Sequence, residues 1–260
     1  MTDLKQIKEL RELTGAGMMD CQKALEESGD DMEKAVEILR KKGEKIATKK
    51  SDRDAKEGVI AIERLDNKIA IVALNCETDF VARNEDFISV VGEFAKHLLE
   101  NGKDGFENFS NEKIQNELIV RIGENLKLGF FDFVEANVLG SYLHSNRKIA
   151  SVVSLSSGTE ELAKDIAMHI TAMNPEYLRP EDVPSEVIEK EKEIYKEQLK
   201  TEGKPENIIE NILKGKVEKF YKDNCLIKQA FVKDDKMSIE NLLKSAGENI
   251  VIEKYKRYSL

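Results

Sequence analysis

An almost continuously apolar run, residues 69–76, constrains the fold of this chain more than any other stretch. It follows a loosely alternating segment, residues 58–65, and the polar turn Asp66-Asn67-Lys68. A short run that is apolar on both faces is typical of a strand buried on both sides. The two segments therefore predict a β-hairpin whose second strand is central in its sheet.

The same order of elements recurs later in the chain. A second hairpin is predicted at residues 138–144 and 149–155, and an amphipathic helical pattern and a further strand follow each hairpin. The elements that complete the two copies are a helix that starts at Asn84, a helix near 111–122 and a strand at 126–135, and then a helix at 162–173 and a strand at 249–258. This repetition predicts two related α+β subdomains.

Two helical segments accompany the subdomains. Residues 4–43 are typical of three short amphipathic helices, which can bury only a small core. Residues 184–224 carry two narrow apolar seams, one of them through Ile194, and these predict an antiparallel helical hairpin, a coiled coil. The predicted α+β chain is divided into a three-helix bundle at 1–43, a linker at 44–57, core subdomain N at 58–137 and core subdomain C at 138–260.

Charge and cysteine usage narrow the class of protein. The net charge is -9, which disfavours nucleic-acid binding by the whole surface but not by a local patch. One basic segment, Arg40 to Lys56, holds eight Lys/Arg against three Asp/Glu, and we interpret it as a solvated tether because it lacks interleaved aromatics. The three cysteines are far apart. No apolar run approaches the roughly 20 residues that span a bilayer, so we expect a reduced, cytoplasmic chain without membrane contact.

The connection after the first central strand contains Thr78-Asp79-Phe80-Val81. The corresponding connection in the second copy, residues 156–159, is shorter, which suggests a purpose beyond linking two elements. Phe80 admits two interpretations. It packs in the core or forms a hydrophobic staple at the helix entry. Alternatively it is an exposed wedge that a partner covers, since aromatic side chains are enriched at the energetic centres of interfaces.

The segment Thr14–Cys21 is a second candidate, because it contains two glycines and the adjacent Met18 and Met19. The glycines could hold a phosphate at a helix N-terminus. However, no strand precedes them and no Gly-Lys-Ser/Thr follows, so a turn between helices is favoured. The methionines pack in the core, or one of them faces a partner. Elsewhere no spacing is typical of a metal site or a catalytic triad, so we expect no metal, no cofactor and no enzyme.

Several motifs together resemble the translation elongation factor Ts family. They occur in the family's order through nearly the whole chain. The motifs are Thr14-Gly15-Ala16-Gly17-Met18-Met19-Asp20-Cys21, Asn75-Cys76-Glu77-Thr78-Asp79-Phe80-Val81, Ile122-Gly123-Glu124-Asn125, Gly140-Ser141-Tyr142-Leu143-His144, and Ile166-Ala167-Met168-His169-Ile170 with the later Asn174-Pro175. One departure follows His144, where many relatives have a glycine and this chain has Ser145-Asn146, so the shape of that loop is expected to differ.

The resemblance implies a guanine-nucleotide exchange factor whose partner is the GTPase elongation factor Tu, with no direct contact to nucleic acid. The first bundle resembles the family's ubiquitin-associated-type domain. Thr78, Asp79, Phe80 and Val81 fall on the tetrapeptide that is linked to magnesium dislocation. Further contact positions of the family correspond to Ile122, Gly123 and His144. Met18 and Met19 are further candidate partner contacts, because methionine is an adaptable contact residue. Two alternatives stay open: a ubiquitin-associated-type interaction scaffold, or an RNA-binding factor that uses the basic segment, each without exchange activity.

Overall fold

The computed structural model describes residues 3–203 and 205–260. Over these residues the chain forms two compact units. The first unit contains the chain up to Glu135 together with Leu143–Ile149 and Ser259–Leu260, and the second contains Ala136–Tyr142 and Ala150–Tyr258. Both units combine helices with a sheet. The predicted α+β class is therefore confirmed, whereas the proposed domain boundaries stay a prediction.

The first unit begins with a bundle of the helices α1 (Leu4–Thr14), α2 (Met18–Ser28) and α3 (Met32–Lys50). Asp3 and Asp31 cap α1 and α3, because each carboxylate accepts a hydrogen bond from a backbone N–H of the first turn. The bundle core is small and consists of Ile7, Leu10, Ala16, Cys21, Ala24, Leu25, Ala35 and Leu39. The predicted N-terminal helices are confirmed.

The predicted first hairpin opens the rest of this unit. The elements are β1 (Glu57–Leu65), β2 (Lys68–Cys76), α4 (Asp79–Ala82), α5 (Glu85–Asn101), α6 (Phe106–Lys113), a π-helical turn (Ile114–Leu118), α7 (Ile119–Ile122) and β3 (Lys127–Glu135). The strands form an antiparallel sheet in the order β1-β2-β3, so β2 is central as predicted. Helix α5 packs on this sheet through Phe87, Val91 and Phe94, which are buried.

Helix α3 corrects the prediction that the third helix ends near Gly43. It continues to Lys50, so residues 40–50 of the segment interpreted as a solvated tether are helical. The reason is a close approach: a Cβ at Gly43 would lie 2.7 Å from the carbonyl oxygen of Gln115 and 2.9 Å from Val120 Cγ2. Gly43 therefore permits contact between helices rather than ending one. Beyond it, Ile46 and Ala47 pack on the core of the first sheet.

The second unit repeats the hairpin, helix and returning strand. Its elements are β4 (Val138–Leu143), β5 (Ile149–Leu155), α8 (Glu160–Met173), α9 (Ser185–Thr201), α10 (Glu206–Asn224), β6 (Ala230–Phe231), β7 (Asp234–Ser238), α11 (Ile239–Ala246) and β8 (Ile252–Ser259). The sheet order is β4-β5-β8. Helix α8 packs in this unit's core with Ile166 and Ile170. The short elements β6, β7 and α11 extend the fold beyond what the sequence patterns predict.

Helices α9 and α10 pack against each other and form the predicted helical hairpin. Leu199 and Ile209 are buried in it, as their apolar spacing predicts. Ile194 was expected in the same seam, and this expectation is wrong, because its side chain is 48% exposed. Ile188, not predicted in the seam, is buried instead. Part of the connection between the helices, Lys204, lies outside the described residues.

Candidate functional site

Helix α4 is a single turn that replaces the loop expected between β2 and α5. Its Phe80 is 83% exposed, the largest value among the large hydrophobic side chains in the described part of the chain. The neighbouring Val81 is partly buried and packs on the core of the first sheet. The core-packing interpretation is therefore contradicted for Phe80, and Val81 anchors the turn that carries it.

Thr78 begins this turn as its N-cap. Its Oγ1 accepts a hydrogen bond from the Val81 N–H at 3.4 Å, and its carbonyl accepts one from the Ala82 N–H at 3.2 Å. Thr159 caps α8 in the same way in the second unit, where Oγ1 accepts from the Leu162 N–H at 3.2 Å. The additional residues of the first connection thus have a defined conformation, although the motif alone did not predict the helix.

Two carboxylates join this turn to the segment after α7. Glu124 Oε2 accepts hydrogen bonds from the backbone N–H of Glu77 at 2.9 Å and of Thr78 at 3.1 Å, and Glu124 Oε1 accepts from Thr78 Oγ1 at 2.6 Å. In return, Glu77 Oε1 accepts from the Asn125 N–H at 2.6 Å. We name this reciprocal arrangement of Glu77, Thr78, Glu124 and Asn125 the latch. Sequence reasoning did not find its carboxylates.

The electrostatics around the latch favour an ionised Glu77 and a neutral Cys76. The Asn125 N–H and the guanidinium of Arg53, 3.4 Å away, hold the pKa of Glu77 below its usual value. Burial, with the carboxylates of Glu124 and Glu57 nearby, raises the pKa of the Cys76 thiol to about 12. That thiol donates a hydrogen bond to the Thr78 carbonyl at 3.2 Å, so it supports the turn rather than acting as a nucleophile.

Asp79 and Arg83 form an ion pair across the turn, with 3.1 Å between Asp79 Oδ2 and Arg83 Nη2. Both side chains remain substantially exposed, so the pair adds little to stability. The pair flanks Phe80 in the sequence, because Asp79 directly precedes the ring and Arg83 follows it by three residues. The carboxylate of Asp79 is thus paired but still accessible to solvent beside the ring.

Ile122 and Gly123 lie directly before the latch. Ile122 is partly buried against the first core and ends α7, and Gly123 follows with a φ of 81°, a left-handed conformation that favours glycine. The Nζ of Lys50 donates a hydrogen bond to the Gly123 carbonyl. Because Glu124 comes next in the chain, the structure brings Ile122 and Gly123 into one connected site with residues 78–81.

Met18 and Met19 start α2, and Met19 is 64% exposed while Met18 is 39% exposed. The core interpretation is thus contradicted for Met19. The segment before them contacts α7: a Cβ at Gly15 would lie 2.8 Å from Cδ of Arg121. The guanidinium of Arg121 in turn lies 3.9 Å from the Asp86 carboxylate in the first turn of α5. The bundle and α5 therefore both approach α7 at the residue before Ile122.

His144 lies in a different loop of the first unit, the turn between β4 and β5, and its side chain is exposed. Its carbonyl accepts a hydrogen bond from the Arg147 N–H at 2.8 Å, and its Nδ1 accepts one from the Asn146 N–H at 3.4 Å. Arg147 has a φ of 55°. The Arg147 carbonyl accepts from the Ile60 N–H at 2.8 Å, so the turn is joined to β1 rather than to the latch.

Comparison with known proteins decides the family. The family model described as "Elongation factor TS" matches residues 77–260. Elongation factor Ts of Nitratiruptor sp. is 47% identical, over 98% of this chain and 92% of the relative. Those of Flavobacterium psychrophilum and Aquifex aeolicus are 45% and 41% identical, over 98% and 99% of this chain and 97% of each relative. The chain belongs to the elongation factor Ts family.

As a member of the elongation factor Ts family, the chain is a translation elongation factor that acts in protein biosynthesis. Within residues 3–203 and 205–260, no group of three or more His, Cys, Asp or Glu residues is arranged to hold a metal ion. No helix in that part of the chain combines the length and the apolar character required to cross a membrane.

The basic segment is largely engaged within this member of the elongation factor Ts family. Lys42 pairs with Asp20, Arg53 with Glu77, and Lys50 with the Gly123 carbonyl. Lys41 pairs with Glu37 and Lys56 with Asp54. Several of the charges that could contact phosphates therefore already face acceptors of the protein itself, which weakens the RNA-binding alternative.

Proposed function

We propose that this chain is a guanine-nucleotide exchange factor for elongation factor Tu. It promotes GDP release during translation elongation by inserting Phe80, on the turn 78–81, where the GTPase holds magnesium and phosphate. The observation that carries this proposal is the exposure of Phe80 on a capped, anchored turn. An exposed aromatic ring that its own protein holds in place is suited to fill a pocket of a partner.

The remaining site residues have separate roles in this proposal. Val81 anchors the turn in the first core, Thr78 caps it, and Asp79 offers a carboxylate beside the ring. Ile122 and Gly123, which directly precede the latch residue Glu124, extend the surface that contacts the GTPase. Met18, Met19 and His144 contribute outlying contacts that bind the GTPase without disturbing its nucleotide site.

The exchange requires no covalent chemistry, so the chain acts as a binding protein and not as an enzyme. The factor lowers the affinity of the GTPase for nucleotide, and by thermodynamic linkage nucleotide lowers the affinity for the factor by the same ratio. The cellular ratio of GTP to GDP then sets the direction of exchange. Because the proposed partner acts in translation, we expect this activity in the cytoplasm.

The test is a nucleotide-release assay. Elongation factor Tu is loaded with a fluorescent GDP, this protein is added in substoichiometric amounts with excess unlabelled GDP, and the fluorescence decay is followed. We expect a large acceleration with multiple turnovers per molecule of factor. Release at the intrinsic rate of the GTPase would contradict the proposal and leave the interaction-scaffold alternative.

RNA binding is tested separately. The variant Lys45→Gln/Lys49→Gln removes two exposed charges of the basic segment and leaves Lys50 and Arg53 with their partners in the site. If the chain binds RNA through this segment, affinity will depend steeply on salt and fall in the variant. We expect no such binding, and unchanged exchange.

A further inference from the structure

Glu124 makes three hydrogen bonds to the start of the turn that carries Phe80. Both carboxylate oxygens are used, by the N–H of Glu77, the N–H of Thr78 and the hydroxyl of Thr78. Glu124 is not part of α7 or β3. Its side chain reaches back to residues 77 and 78 instead, and hydrogen bonds to a charged acceptor are the stronger ones.

The hydroxyl of Thr78 transmits this contact to α4. The hydroxyl donates its proton to Glu124 Oε1, which fixes its orientation, and the oxygen accepts from the Val81 N–H. A single helical turn is unstable on its own, since nucleation fixes several residues for one hydrogen bond. The direction of the Phe80 ring therefore depends on the cap at Thr78, and the cap depends on Glu124.

The other half of the latch holds Glu124 in place. Glu77 Oε1 accepts from the Asn125 N–H at 2.6 Å, and the Asn125 side-chain amide donates to the Arg53 carbonyl at 2.7 Å. Asn125 is buried, so its backbone has little freedom to move. The segments 76–78 and 123–125 are thereby fixed to each other before any partner arrives.

We propose that Glu124 is a positioning residue for Phe80: it holds the turn in its wedge conformation so that the ring enters the GTPase without a preceding ordering step. This inference rests on the proposed exchange function. Pre-organised groups avoid the entropic cost of ordering on binding, so loss of Glu124 lowers the maximal exchange rate more than it weakens docking. Docking is retained because Met18, Met19 and His144 do not depend on the latch.

The first experiment compares Glu124→Ala, Glu124→Gln and the control Glu100→Gln, an exposed acid of α5 whose only described contact is with Lys96 at 3.9 Å. Exchange is measured over a range of concentrations of GDP-loaded elongation factor Tu. We expect Glu124→Ala to lower the maximal rate about tenfold, the scale of a lost hydrogen bond to a charged group. The half-saturating concentration should change less. Glu124→Gln retains an acceptor for the two N–H groups and should recover most of the rate.

A double-mutant cycle with Phe80→Ala separates positioning from general stability. If Glu124 acts through the ring, Glu124→Ala has no further effect on exchange in the Phe80→Ala background. Equal losses in both backgrounds, or a wild-type rate for Glu124→Ala, would overturn the inference.

Hydrogen exchange provides a readout that does not depend on the GTPase. The N–H groups of Ala82 and Arg83 bond within the turn to the carbonyls of Thr78 and Asp79. Their protection should fall in Glu124→Ala and persist in Glu100→Gln, and unchanged protection would overturn the inference. A wild-type protein without exchange activity would instead refute the proposed function, even if the protection behaved as expected.

Discussion

Phe80 and Phe87 are the same side chain in opposite surroundings, although they are close in the sequence. Phe87, on α5, is buried in the core of the first sheet, while Phe80, on α4, is exposed. The difference arises from Thr78 and Asn84, which cap α4 and α5 separately and so turn the chain between the two rings. Burying Phe80 would stabilise the free protein, so its exposure is consistent with a partner that covers it.

Substitution of the two rings should separate function from stability. Phe80→Ala is expected to lower exchange at least about tenfold, as for an aromatic hot spot. It should change the free energy of unfolding by less than about 0.5 kcal/mol, because little of the ring is buried. Phe87→Ala should instead destabilise the protein by about 3–5 kcal/mol. Release assays and denaturant titrations measure the two effects, and a large stability loss in Phe80→Ala would contradict the structure.

At the residue scale, the burial of Phe87 could be predicted from the sequence, but the exposure of Phe80 and the latch could not. Apolar spacing indicates the helix that contains Phe87, because Phe87, Val91 and Phe94 recur on one face of it. The exposure of Phe80 had no such signal, since a staple residue and a wedge residue occupy the same position in the sequence. The latch was not predictable either, because Glu77 and Glu124 meet only after the antiparallel pairing of β2 with β3 has brought their segments together.

At the scale of elements, two helical glycines differ in how closely other atoms surround them. Gly43 lies where α3 meets the π-helical turn, and a Cβ there would approach the Gln115 carbonyl within 2.7 Å. Gly215 is in the interior of α10, and a Cβ there would meet no atom within 4 Å. Both residues carry the same entropic cost of glycine in a helix. Only Gly43 is required by its surroundings.

Replacing each glycine by alanine should therefore shift stability in opposite directions. Gly215→Ala is expected to stabilise the protein by about 0.5–1 kcal/mol through helix propensity. Gly43→Ala should destabilise it by about 1–3 kcal/mol, the usual cost of overpacking. Both changes are measurable by denaturant unfolding at one pH. A stabilised Gly43→Ala would show that α3 and the π-helical turn separate easily.

His169 connects α8 to the turn between β6 and β7 in the second unit. Its Nδ1 accepts a hydrogen bond from the Val232 N–H at 3.2 Å, and its Nε2 lies 2.9 Å from Gln229 Oε1. A backbone N–H can only donate, so the ring proton is on Nε2 and is donated to Gln229. A second proton on Nδ1 would remove the bond to Val232.

This contact predicts a loss of stability at mildly acid pH. Burial lowers the pKa of His169 below 6.5 in the folded protein, so below pH 6.5 the unfolded chain binds a proton that the folded chain does not. Stability is therefore present above pH 6.5 and is lost as the pH falls towards the folded pKa. Denaturant midpoints between pH 7.5 and pH 5 measure the trend. His169→Gln should reduce the slope, and an unchanged slope would assign it to other groups.

At the scale of the whole molecule, the cysteines report on separate cores. Cys21 is in the bundle, Cys76 in the core of the first sheet, and Cys225 packs with Val183 and Ile188. Burial raises the pKa of each thiol, to about 12 for Cys76 and about 11 for Cys225. Each thiol should react with an alkylating reagent only when its own core opens.

The order of alkylation should follow the size of the cores. We expect Cys225 to react first under native conditions, because its cluster is the smallest, with Val183 and Ile188 buried beside it, and Cys76 to react last, because its core is the largest of the three. Mass spectrometry of timed samples measures the order, and full denaturation, in which the thiols react together, is the control. Simultaneous reaction under native conditions would indicate that the described cores unfold as one cooperative unit.

The organisation of the chain was predictable where patterns are long and repeated. The hairpins at β1–β2 and β4–β5 were identified because their apolar strands recur in the same order. The strands β6 and β7 are too short for a period to be visible, and the extension of α3 was hidden because Ile46 and Ala47 are its only apolar residues after Gly43. The two compact units are also not continuous in the sequence, since Leu143–Ile149 belongs to the first unit although the residues before and after it belong to the second. Local patterns cannot show this.

The bond between Ile60 and Arg147 has a consequence for synthesis of the chain. Strand β1 is at the edge of its sheet, and the turn that follows β4 covers that edge through the Arg147 carbonyl and the pair of Lys148 with Glu57. A ribosome makes β1, β2 and β3 before it makes this turn. The nascent sheet therefore has an open edge during that interval, when wrong pairing with another chain is easiest.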